Sequence, residues 1–583
     1  MTISKKIYYL LTPSERKKAM ILLLLMFIGM GLEVMGIGLV IPAIGLMSEQ
    51  NLVLSYPRLQ PVINALGNPT QIQLIIGAML TLVVMNLIKM IFISFLIWQQ
   101  THFTMGVQVQ ISQRLFTIYL RQPYIFHLSR NSAQLIRNSV SEVNQFSGAL
   151  SNAISLLTDG LVTIGIVSLL LMFEPIGTII VMLILGIATL IFYRITRSKI
   201  IRWGEIRQLY EGFRIQNLQE GLGGVKDVKI LGRESDFLKQ YNLNNTKTAE
   251  AGRLHQTVLA LPRLWLEFIV IIALAALVII MIIQGQNISS IIPKLGLFTA
   301  SAFRLLPSIN KMLTSIQSLR YALPVINILF DEFKLDAIDP NAKTGANVKV
   351  FSNEIMLRDI SYTYPNTPKP TLNNLTLTIR NGESVGFIGS SGSGKSTMVD
   401  VLLGLLTPNA GQVLFDGENI QQNLRAWQNQ IGYVPQHIYL TDDTLRRNVA
   451  FGLSNDQIDD SAVNKAIMAA QLGSFVESLP LGLETLVGER GVRLSGGQRQ
   501  RIGIARALYH DPAVLVLDEA TSSLDISTER SVMKTVTNLQ GTKTILIVAH
   551  RLSTVEHCDR IFRLEEGKIV GSGSPKIMLS TTK

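Results

Sequence analysis

The chain has 583 residues, of which 48% are hydrophobic and only 16% charged, whereas about 25% are charged in ordinary globular domains. This composition, with a mean hydropathy of +0.33, argues against a disordered chain, a coiled coil or a small secreted module, and it predicts that lipid solvates part of the chain. The single cysteine, Cys558, excludes an intrachain disulfide framework and a CxxC zinc site.

Six mostly apolar stretches in the first 330 residues are long enough to cross about 30 Å of hydrocarbon as helices. They are predicted at 19–46, 72–99, 146–173, 176–194, 260–284 and 292–316. The last is the weakest because it contains charged residues and a proline. Periodic patterns at 100–145 and 195–258 run past the bilayer width into polar sequence, which predicts continuous helices that project into the cytoplasm.

Basic residues alternate between the connections of these spans. The N-terminus and the segment 194–207 are rich in Lys and Arg, the connection 47–71 carries only Arg58, and the turn near 285–290 carries none. By the positive-inside rule, both termini and the second half of the chain are expected to be cytoplasmic, in the inner (cytoplasmic) membrane. This alternation accounts for most of the net charge of +12 without a nucleic-acid partner.

A polar stretch at 331–350 divides the chain in two. We therefore predict a transmembrane domain over 1–330, a linker over 331–350 and a second domain over 351–583. In this second domain short apolar runs alternate with helical patterns, which is typical of an α/β domain with a mainly parallel sheet.

The first motif of the second domain follows a buried strand at 385–388. It reads Gly389-Ser390-Ser391-Gly392-Ser393-Gly394-Lys395-Ser396, and a helical pattern begins at about Thr397. Strand, G-x-x-x-x-G-K-[ST] loop and helix in this order predict a phosphate-binding loop, because glycines let backbone N–H groups face phosphate oxygens at a helix N-terminus. Lys395 is expected to reach the β- and γ-phosphates, and Ser396 to bind Mg²⁺.

Another apolar strand, at 513–517, ends in two acids. Ligands in open α/β sheets bind at the carboxyl ends of strands. We therefore expect Asp518 to hold Mg²⁺ through water, and Glu519 to orient the attacking water and accept its proton.

A second anion-binding helix N-terminus is predicted at Ser495-Gly496-Gly497-Gln498, after Leu494. One nucleotide does not need two phosphate cradles in one domain. We therefore expect this second cradle to face the nucleotide of another subunit.

The stretch Leu494–Gln498 resembles the signature motif of ATP-binding cassette (ABC) transporters, and other motifs occur in that family's order. Tyr364 resembles the aromatic residue that stacks on adenine, although it could be an ordinary strand residue. Gln436 resembles the glutamine that senses Mg²⁺ and water. His550 resembles the switch histidine on the γ-phosphate, with a core histidine as the alternative.

The resemblance covers the whole chain, because six spans followed by one cassette is the layout of an exporter half-transporter. It implies a multidomain membrane protein: a six-helix all-α transmembrane domain with the type I ABC exporter fold, followed by an α/β P-loop NTPase cassette with a helical subdomain. It also implies two cassettes closing head-to-tail around two ATP molecules, in a homodimer or, less favoured, a heterodimer with a related half. The implied catalytic residues are Lys395, Gln436, Glu519 and His550, and the implied Mg²⁺ ligands are Ser396, Gln436 and Asp518.

The resemblance also assigns segments that would transmit nucleotide closure to the spans. Glu489–Gly491 resembles the exporter segment that touches the intracellular loops, and Ser523–Asp525 resembles the loop that crosses the dimer interface. The stretches Arg121–Ser132 and Asn217–Arg233 lie where family members carry coupling helices.

Cations inside the spans predict a substrate pathway, because charged residues in membrane helices usually face a cavity. Lys89 lies in the second span, Arg263 begins the fifth, and Arg304 and Lys311 lie in the sixth. Seven residues correspond to about 700° of helix, so Arg304 and Lys311 share one face. A basic wall would suit a pyrophosphate, although Arg263 could simply pair with Glu267, four residues on.

The stretches Leu261–Glu267 and Phe303–Ser308, with Lys311, resemble bacterial flippases for lipid-linked oligosaccharides. The expected function is therefore an ATP-driven exporter that flips a polyprenyl-pyrophosphate-linked oligosaccharide by alternating access. An exporter of another lipid, a drug or a peptide is the alternative. The expected partners are the lipid bilayer, the lipid-linked substrate and a second half-transporter, and no nucleic acid.

Overall fold

The computed structural model describes residues 3–39, 70–173, 175–283, 288–335, 351–365, 367–520, 526–549 and 551–580. The chain divides into two compact units. The membrane unit comprises Met1–Gln122 and Ser129–Ala337, and the cassette unit comprises Pro123–Leu128 and Ile338–Lys583.

The described part of the membrane unit is helical. Its helices, with the short helix that belongs to the cassette unit, are α1 (Ile3–Leu10), α2 (Pro13–Gly38), α3 (Gln71–Leu120), α4 (Tyr124–Ser129), α5 (Ser132–Arg137), α6 (Val143–Phe173), α7 (Pro175–Gly223), α8 (Val225–Leu231), α9 (Glu234–Ile283), α10 (Ile288–Tyr321) and α11 (Leu323–Glu332). Five helices in the described ranges are long and apolar enough to cross a membrane. Helix α10 contains the sixth predicted span.

The start of the second helix follows directly from its sequence. The Thr12 hydroxyl accepts a hydrogen bond from the Glu15 amide, and the Glu15 carboxylate accepts one from the Thr12 amide. This reciprocal cap satisfies two backbone donors that a helix end otherwise leaves open. Thr70 and Gln73 form the same arrangement at the start of α3.

The predicted long helices are confirmed in α3, α7 and α9, which have 50, 49 and 50 residues. At 1.5 Å per residue each is about 75 Å long, more than twice the thickness of the hydrocarbon core. Within the periodic stretch 100–145, the long helix ends before the segment that was assigned to a coupling helix. Helix α3 ends at Leu120, because Pro123 disfavours helical backbone before it. The first predicted span passes the end of α2 at Gly38, and 40–69 lies outside the described residues.

A buried ionic network joins helices of the membrane unit. Glu142, which has no exposed surface, lies 3.0 Å from Arg207 Nη2 and 3.6 Å from Arg137 Nε. Glu332 lies 2.7 Å from Arg130. Buried charges are tolerated only when they are paired. The network therefore constrains how α5, α7 and α11 pack, and the sequence analysis did not predict it.

The cassette unit contains two sheets. Its strands are β1 (Glu354–Tyr362), β2 (Leu372–Arg380), β3 (Ser384–Ile388), β4 (Ala410–Phe415), β5 (Glu418–Asn419), β6 (Ile431–Val434), β7 (Val514–Asp518), β8 (Thr544–Val548), β9 (Arg560–Glu565) and β10 (Lys568–Gly573). One sheet has the order β2-β1-β4-β5 and is antiparallel. The other has the order β10-β9-β3-β8-β7-β6 and is parallel except for the β9–β10 pair.

Helices cover the larger sheet and form a subdomain between β6 and β7. They are α12 (Lys395–Leu402), α13 (Leu424–Gln428), α14 (Leu445–Val449), α15 (Asp460–Ala469), α16 (Gly473–Ser478), α17 (Gly496–Leu508), α18 (Ile526–Thr537) and α19 (Pro575–Ser580). Strands β3, β7 and β8 are buried at every position, as their uninterrupted apolar runs predict. The predicted helical transmembrane domain and mainly parallel α/β cassette are confirmed.

The register of the larger sheet brings three strand ends to one edge. Phe387 is opposite Val548, and Leu517 is opposite Ile547. The glycine-rich loop after β3 and the two acids after β7 therefore leave the same edge of the sheet, on either side of β8, which is the place where parallel α/β sheets bind ligands.

Candidate nucleotide site and membrane cations

The glycine-rich loop turns sharply between β3 and α12. Gly392 and Gly394 have φ angles of +80° and +101°, which side chains other than glycine rarely adopt. Helix α12 begins at Lys395, so the N–H groups of its first turn have no acceptor inside the helix. These donors at the positive end of the helix form a cradle for a phosphate group.

The Lys395 ammonium is held by the loop itself. Its Nζ donates to the carbonyl oxygens of Gly389 at 2.8 Å and Ser390 at 3.0 Å. Burial lowers the pKa of Lys395, while the nearby carboxylates of Glu519 and Asp518 act in the opposite direction. Lys395 therefore lies buried between the loop and the two acids, and Ser390, Ser391 and Ser396 are exposed.

The two acids lie at the end of β7 but differ in environment. Asp518 is buried, with 9% of its surface exposed, and Glu519 is half-buried. Gln436 Nε2 donates to Glu519 Oε2 at 2.7 Å. Glu519 has a φ of +48°, an uncommon conformation for a residue with a side chain. Its amide donates to the Val548 carbonyl at 3.0 Å, which fixes this turn to β8.

Two groups near Asp518 were missed by the sequence analysis. Burial, and then the Asp518 charge, raise the pKa of Asp400 on α12 to about 6. Burial also raises the pKa of Tyr433, which hydrogen-bonds Asp518. Their only signal in the sequence is that Asp400 falls among apolar positions of the helix after the loop.

The signature stretch forms a capped helix start. Ser495 is the N-cap of α17, its hydroxyl accepts from the Gln498 amide at 3.2 Å, and Gln498 Oε1 accepts from the Ser495 amide at 2.8 Å. Gly496 and Gly497 form the first helical turn. Ser495 is exposed, so this helix N-terminus can be reached from outside the unit.

Tyr364 lies half-buried beside the start of α12. Its hydroxyl is 3.3 Å from the Thr397 hydroxyl, and its ring packs edge-on against Tyr362. This placement keeps the aromatic ring near the glycine-rich loop. His550 and the stretch Ser523–Asp525 lie outside the described residues.

The short helix α4 falls in the first stretch assigned to a coupling helix, and Pro123–Leu128 belongs to the cassette unit. Ile125 packs against a buried cluster of that unit. Burial, and then the charge of Asp400, raise the pKa of Tyr124. Helix α4 therefore lies close to the helix that follows the glycine-rich loop. Helix α8 falls in the second assigned stretch.

The predicted pathway cations differ in their surroundings. Lys89 Nζ lies 3.6 Å from the buried Glu33 carboxylate, and Arg263 Nε lies 2.9 Å from Glu267. Lys311 is exposed on α10, whereas the side chain of Arg304 lies outside what the structure describes. A buried acid in the third span, Asp159, was missed by the sequence analysis.

The residues assigned to Mg²⁺ offer only oxygen ligands: the Ser396 hydroxyl, the Gln436 amide oxygen and the Asp518 carboxylate. Hard oxygen donors with one carboxylate suit Mg²⁺ that shares its coordination with nucleotide phosphates. Within the described residues, no group of three or more His, Cys, Asp or Glu could hold a metal ion without such phosphates. The site therefore fits a nucleotide-bound Mg²⁺.

Comparison with protein families gives two matches. Residues 372–522 match the family described as ABC transporter, and residues 36–299 match the ABC transporter transmembrane region.

Individual relatives give the same result over most of the chain. The ATP-dependent lipid A-core flippase of Cupriavidus pinatubonensis is 33% identical over 490 residues, covering 81% of this chain and 80% of the relative. The ATP-dependent lipid A-core flippase of Ralstonia nicotianae is 32% identical over 486 residues, which cover 81% of this chain and 80% of that relative. A solved structure of a bacterial Atm1-family ABC exporter with ATP bound has a TM-score of 0.79 at 21% identity, covering 97% of this chain and 96% of that one.

Proposed function

The chain belongs to the ABC transporters, as an exporter-type half-transporter that couples ATP hydrolysis to transport, and from this premise we propose that it flips an anionic lipid across the bacterial inner membrane. The first candidate is a polyprenyl-pyrophosphate-linked oligosaccharide. The second is lipid A-core, because the relatives described above are named for that lipid.

One observation carries the proposal of a lipid substrate. The similarity to lipid A-core flippases covers 81% of the chain, and the similarity therefore extends well beyond the 151-residue stretch that matches the cassette family. The sixth helix adds a second argument, since it carries Arg304 and Lys311 on one face. Cations at such positions suit the phosphate groups of a lipid headgroup.

We propose that two copies of the chain form the working transporter. Each ATP would be held by Lys395, Ser396 and Gln436 of one cassette and by Ser495 and Gly497 of the other. The capped and exposed N-terminus of α17 supports this arrangement, because it offers an anion site that the same cassette's loop leaves unused. The chain has both Glu519 and an intact signature, so a homodimer would contain two competent sites.

Within each proposed site, Glu519 accepts the proton of the attacking water. Gln436, 2.7 Å away, orients this carboxylate. Lys395 stabilises negative charge on the transferred phosphoryl group, since a buried ammonium acts strongly where water is excluded. Mg²⁺ held by Ser396, Gln436 and Asp518 would neutralise charge on the phosphates.

We propose that the cassettes act on the spans by shifting the populations of two access states of the transporter. ATP-bound closure would favour one access state, and hydrolysis would reset it. Helix α4 supports this view, because its segment Pro123–Leu128 belongs to the cassette unit although it lies between long stretches of the membrane unit. A movement of the cassette would carry this segment along.

The proposal is tested in vesicles containing the purified full chain and a fluorescent lipid-linked oligosaccharide. We expect ATP-dependent loss of the label from one leaflet, and stimulation of ATP hydrolysis by the same lipid. Parallel samples contain labelled lipid A-core, an apolar drug and a peptide. Flipping of lipid A-core alone would select the second candidate. Stimulation by the drug or peptide and by neither lipid would refute a lipid substrate.

A further inference from the structure

The membrane unit contains an apolar cavity of about 420 Å³ between α6, α7 and α10. Its wall is aliphatic side chains and methionine, with one phenylalanine, three threonines, Gly186 and Tyr193. The Thr163 hydroxyl donates to the Asp159 carbonyl of its own helix, so it offers little polarity to the cavity. Apolar cavities of about 150 Å³ stay dry and take up apolar ligands. Hydrocarbon therefore suits this space better than water.

The cavity opens along the surface of α7. Two residues of its wall, Met182 and Leu190, are 46% and 56% exposed. They lie eight residues apart on a helix that is long and apolar enough to cross a membrane, so the opening lies along the part of α7 that is expected to be inside the bilayer. A chain can therefore enter from the side.

A cation marks one end of the cavity. The hydroxyl of Tyr193, in the wall, accepts a hydrogen bond from Arg320 Nη2, and the Arg320 guanidinium lies 4.5 Å from the centre of the Tyr193 ring. Arg320 follows the wall residue Ile316 by one helical turn, on the same side of α10. Among the described residues, the contacts of the Arg320 guanidinium are with Tyr193 and not with a carboxylate, so its remaining N–H groups can bind an anion.

The depth of this cation matches that of a lipid phosphate. Tyr193 lies eighteen residues after the start of α7 at Pro175, which corresponds to about 27 Å along the helix. The hydrocarbon core is about 30 Å thick. In the proposed orientation Tyr193 and Arg320 therefore lie at the cytoplasmic boundary of the hydrocarbon, where tyrosine is common and phosphates of that leaflet are found.

Gly186 keeps the middle of the cavity open. A Cβ atom at this position would meet no other atom within 4 Å, so packing does not require glycine. Glycine inside a helix costs about 0.5–1 kcal/mol relative to alanine. The absence of a side chain here therefore weakens α7 and leaves room in the cavity.

We infer that the α6–α7–α10 cavity and Arg320 form a loading site for the phosphorylated lipid, with a hydrocarbon chain in the cavity and a phosphate on the guanidinium. This inference rests on the proposed lipid substrate. The site lies within one subunit and opens to the side, so the lipid would bind it from the cytoplasmic leaflet before it is flipped.

The test uses two lipids with a photoreactive diazirine at the end of the chain: a polyprenyl-pyrophosphate-linked sugar and phosphatidylcholine. Each is incorporated into vesicles with the full-length protein, and labelled peptides are located by mass spectrometry. We expect the pyrophosphate lipid to label 178–193 about tenfold more than phosphatidylcholine does. Arg320→Ala should reduce the labelling of 178–193 by the pyrophosphate lipid about tenfold, because the charge-assisted hydrogen bond from the guanidinium to the phosphate is lost.

Matched variants separate binding from folding. Arg194→Ala removes an exposed arginine at the same depth and should leave labelling unchanged. Tyr193→Phe removes the bond to Arg320 but keeps the guanidinium, so labelling should persist if Arg320 binds phosphate and fall if its role is structural. Gly186→Phe should fill the cavity and reduce labelling. Gly77→Phe, on α3 at a position that is equally open, should not.

Equal labelling by the two lipids, or labelling that does not depend on Arg320, would overturn the loading site. Flipping by the wild-type protein is measured in the same vesicles with a fluorescent analogue. Flipping without selective labelling refutes this site and leaves the proposed function standing. Selective labelling without flipping refutes the proposed function and leaves the lipid site standing.

Discussion

The cassette unit and the membrane unit place their charged groups by different means. In the cassette, Lys395, Asp518 and Glu519 are positioned by one loop and one buried strand, and the sequence around each residue specifies its backbone. In the membrane unit the buried charges find partners far away in the sequence: Arg207 pairs with Glu142 across 65 residues, and Arg130 with Glu332 across 202.

This difference changes what a charged residue means in each unit. An acid at the carboxyl end of a buried parallel strand lies at a ligand-binding edge whatever surrounds it. A cation inside a span marks a pathway only if no acid neutralises it. The pairs Lys89–Glu33 and Arg263–Glu267 therefore weaken two of the four predicted pathway residues, whereas Lys311 is exposed on α10 and stays a candidate.

The largest expected effect tests the cassette side of this comparison. Glu519→Gln should bind ATP normally but hydrolyse it about 10³-fold more slowly, because the proton acceptor is lost. ATP turnover and nucleotide binding are measured on the same purified protein. Glu565→Gln serves as the control, since Glu565 ends β9 and pairs with Arg563 at the surface. Near-normal turnover of Glu519→Gln would remove Glu519 as the base.

The next effect tests whether paired charges hold the membrane unit together. Glu142→Gln leaves Arg207 and Arg137 buried without their carboxylate, which should destabilise this unit by about 3 kcal/mol. Denaturant unfolding in detergent, followed by limited proteolysis of each unit, measures it. Glu250→Gln breaks the exposed Lys247–Glu250 pair and should cost no more than about 0.5 kcal/mol. An equal loss of unfolding free energy in Glu142→Gln and Glu250→Gln would contradict the proposal that the buried ionic network stabilises the membrane unit.

A third variant asks which span cations act on substrate. Replacing Arg304 and Lys311 together by alanine should lower the number of lipids flipped per ATP hydrolysed by about a hundredfold, because two charge-assisted contacts to phosphate are lost. The vesicle assay described above measures this ratio. Arg263→Ala, at a cation paired with Glu267, should change it much less. Unchanged flipping in the double variant would refute the basic pathway.

The smallest effect concerns Asp400, the half-buried acid beside Asp518. The folded protein holds the Asp400 proton up to a pKa of about 6, above the ordinary value of 3.8. Between these values the folded state binds more protons than the unfolded state, so stability falls as the pH rises from about 4 to 6. Asp400→Asn should therefore stabilise the cassette unit at pH 7 by about 2 kcal/mol.

The measurement is the unfolding free energy of the cassette unit at several pH values between 4 and 7. The wild-type slope across this window should be reduced in Asp400→Asn. Asp456→Asn, at an exposed surface acid, should keep the wild-type slope. An unchanged slope in Asp400→Asn would show that Asp400 titrates normally.

Prediction from sequence was most successful where neighbouring residues specify the backbone. The strand, loop and helix around Gly389–Ser396 and the strand before Asp518 were all predicted. The periodicity did not predict where α3 ends, because the pattern continues past Leu120 whereas the helix stops there. Asp400 was missed because its position in the helix says nothing about the acid on the neighbouring strand.

By itself, the sequence determined the order of the spans, the extension of α3, α7 and α9 beyond the bilayer, and the residues of the glycine-rich loop, since hydropathy and glycine conformation act through adjacent residues. Only the tertiary structure decided which cations are paired, that Pro123–Leu128 joins the cassette unit, and that α6, α7 and α10 enclose a cavity beside Arg320. The reason is physical: contacts between helices depend on the rotation and depth of each helix, which apolar composition leaves unspecified.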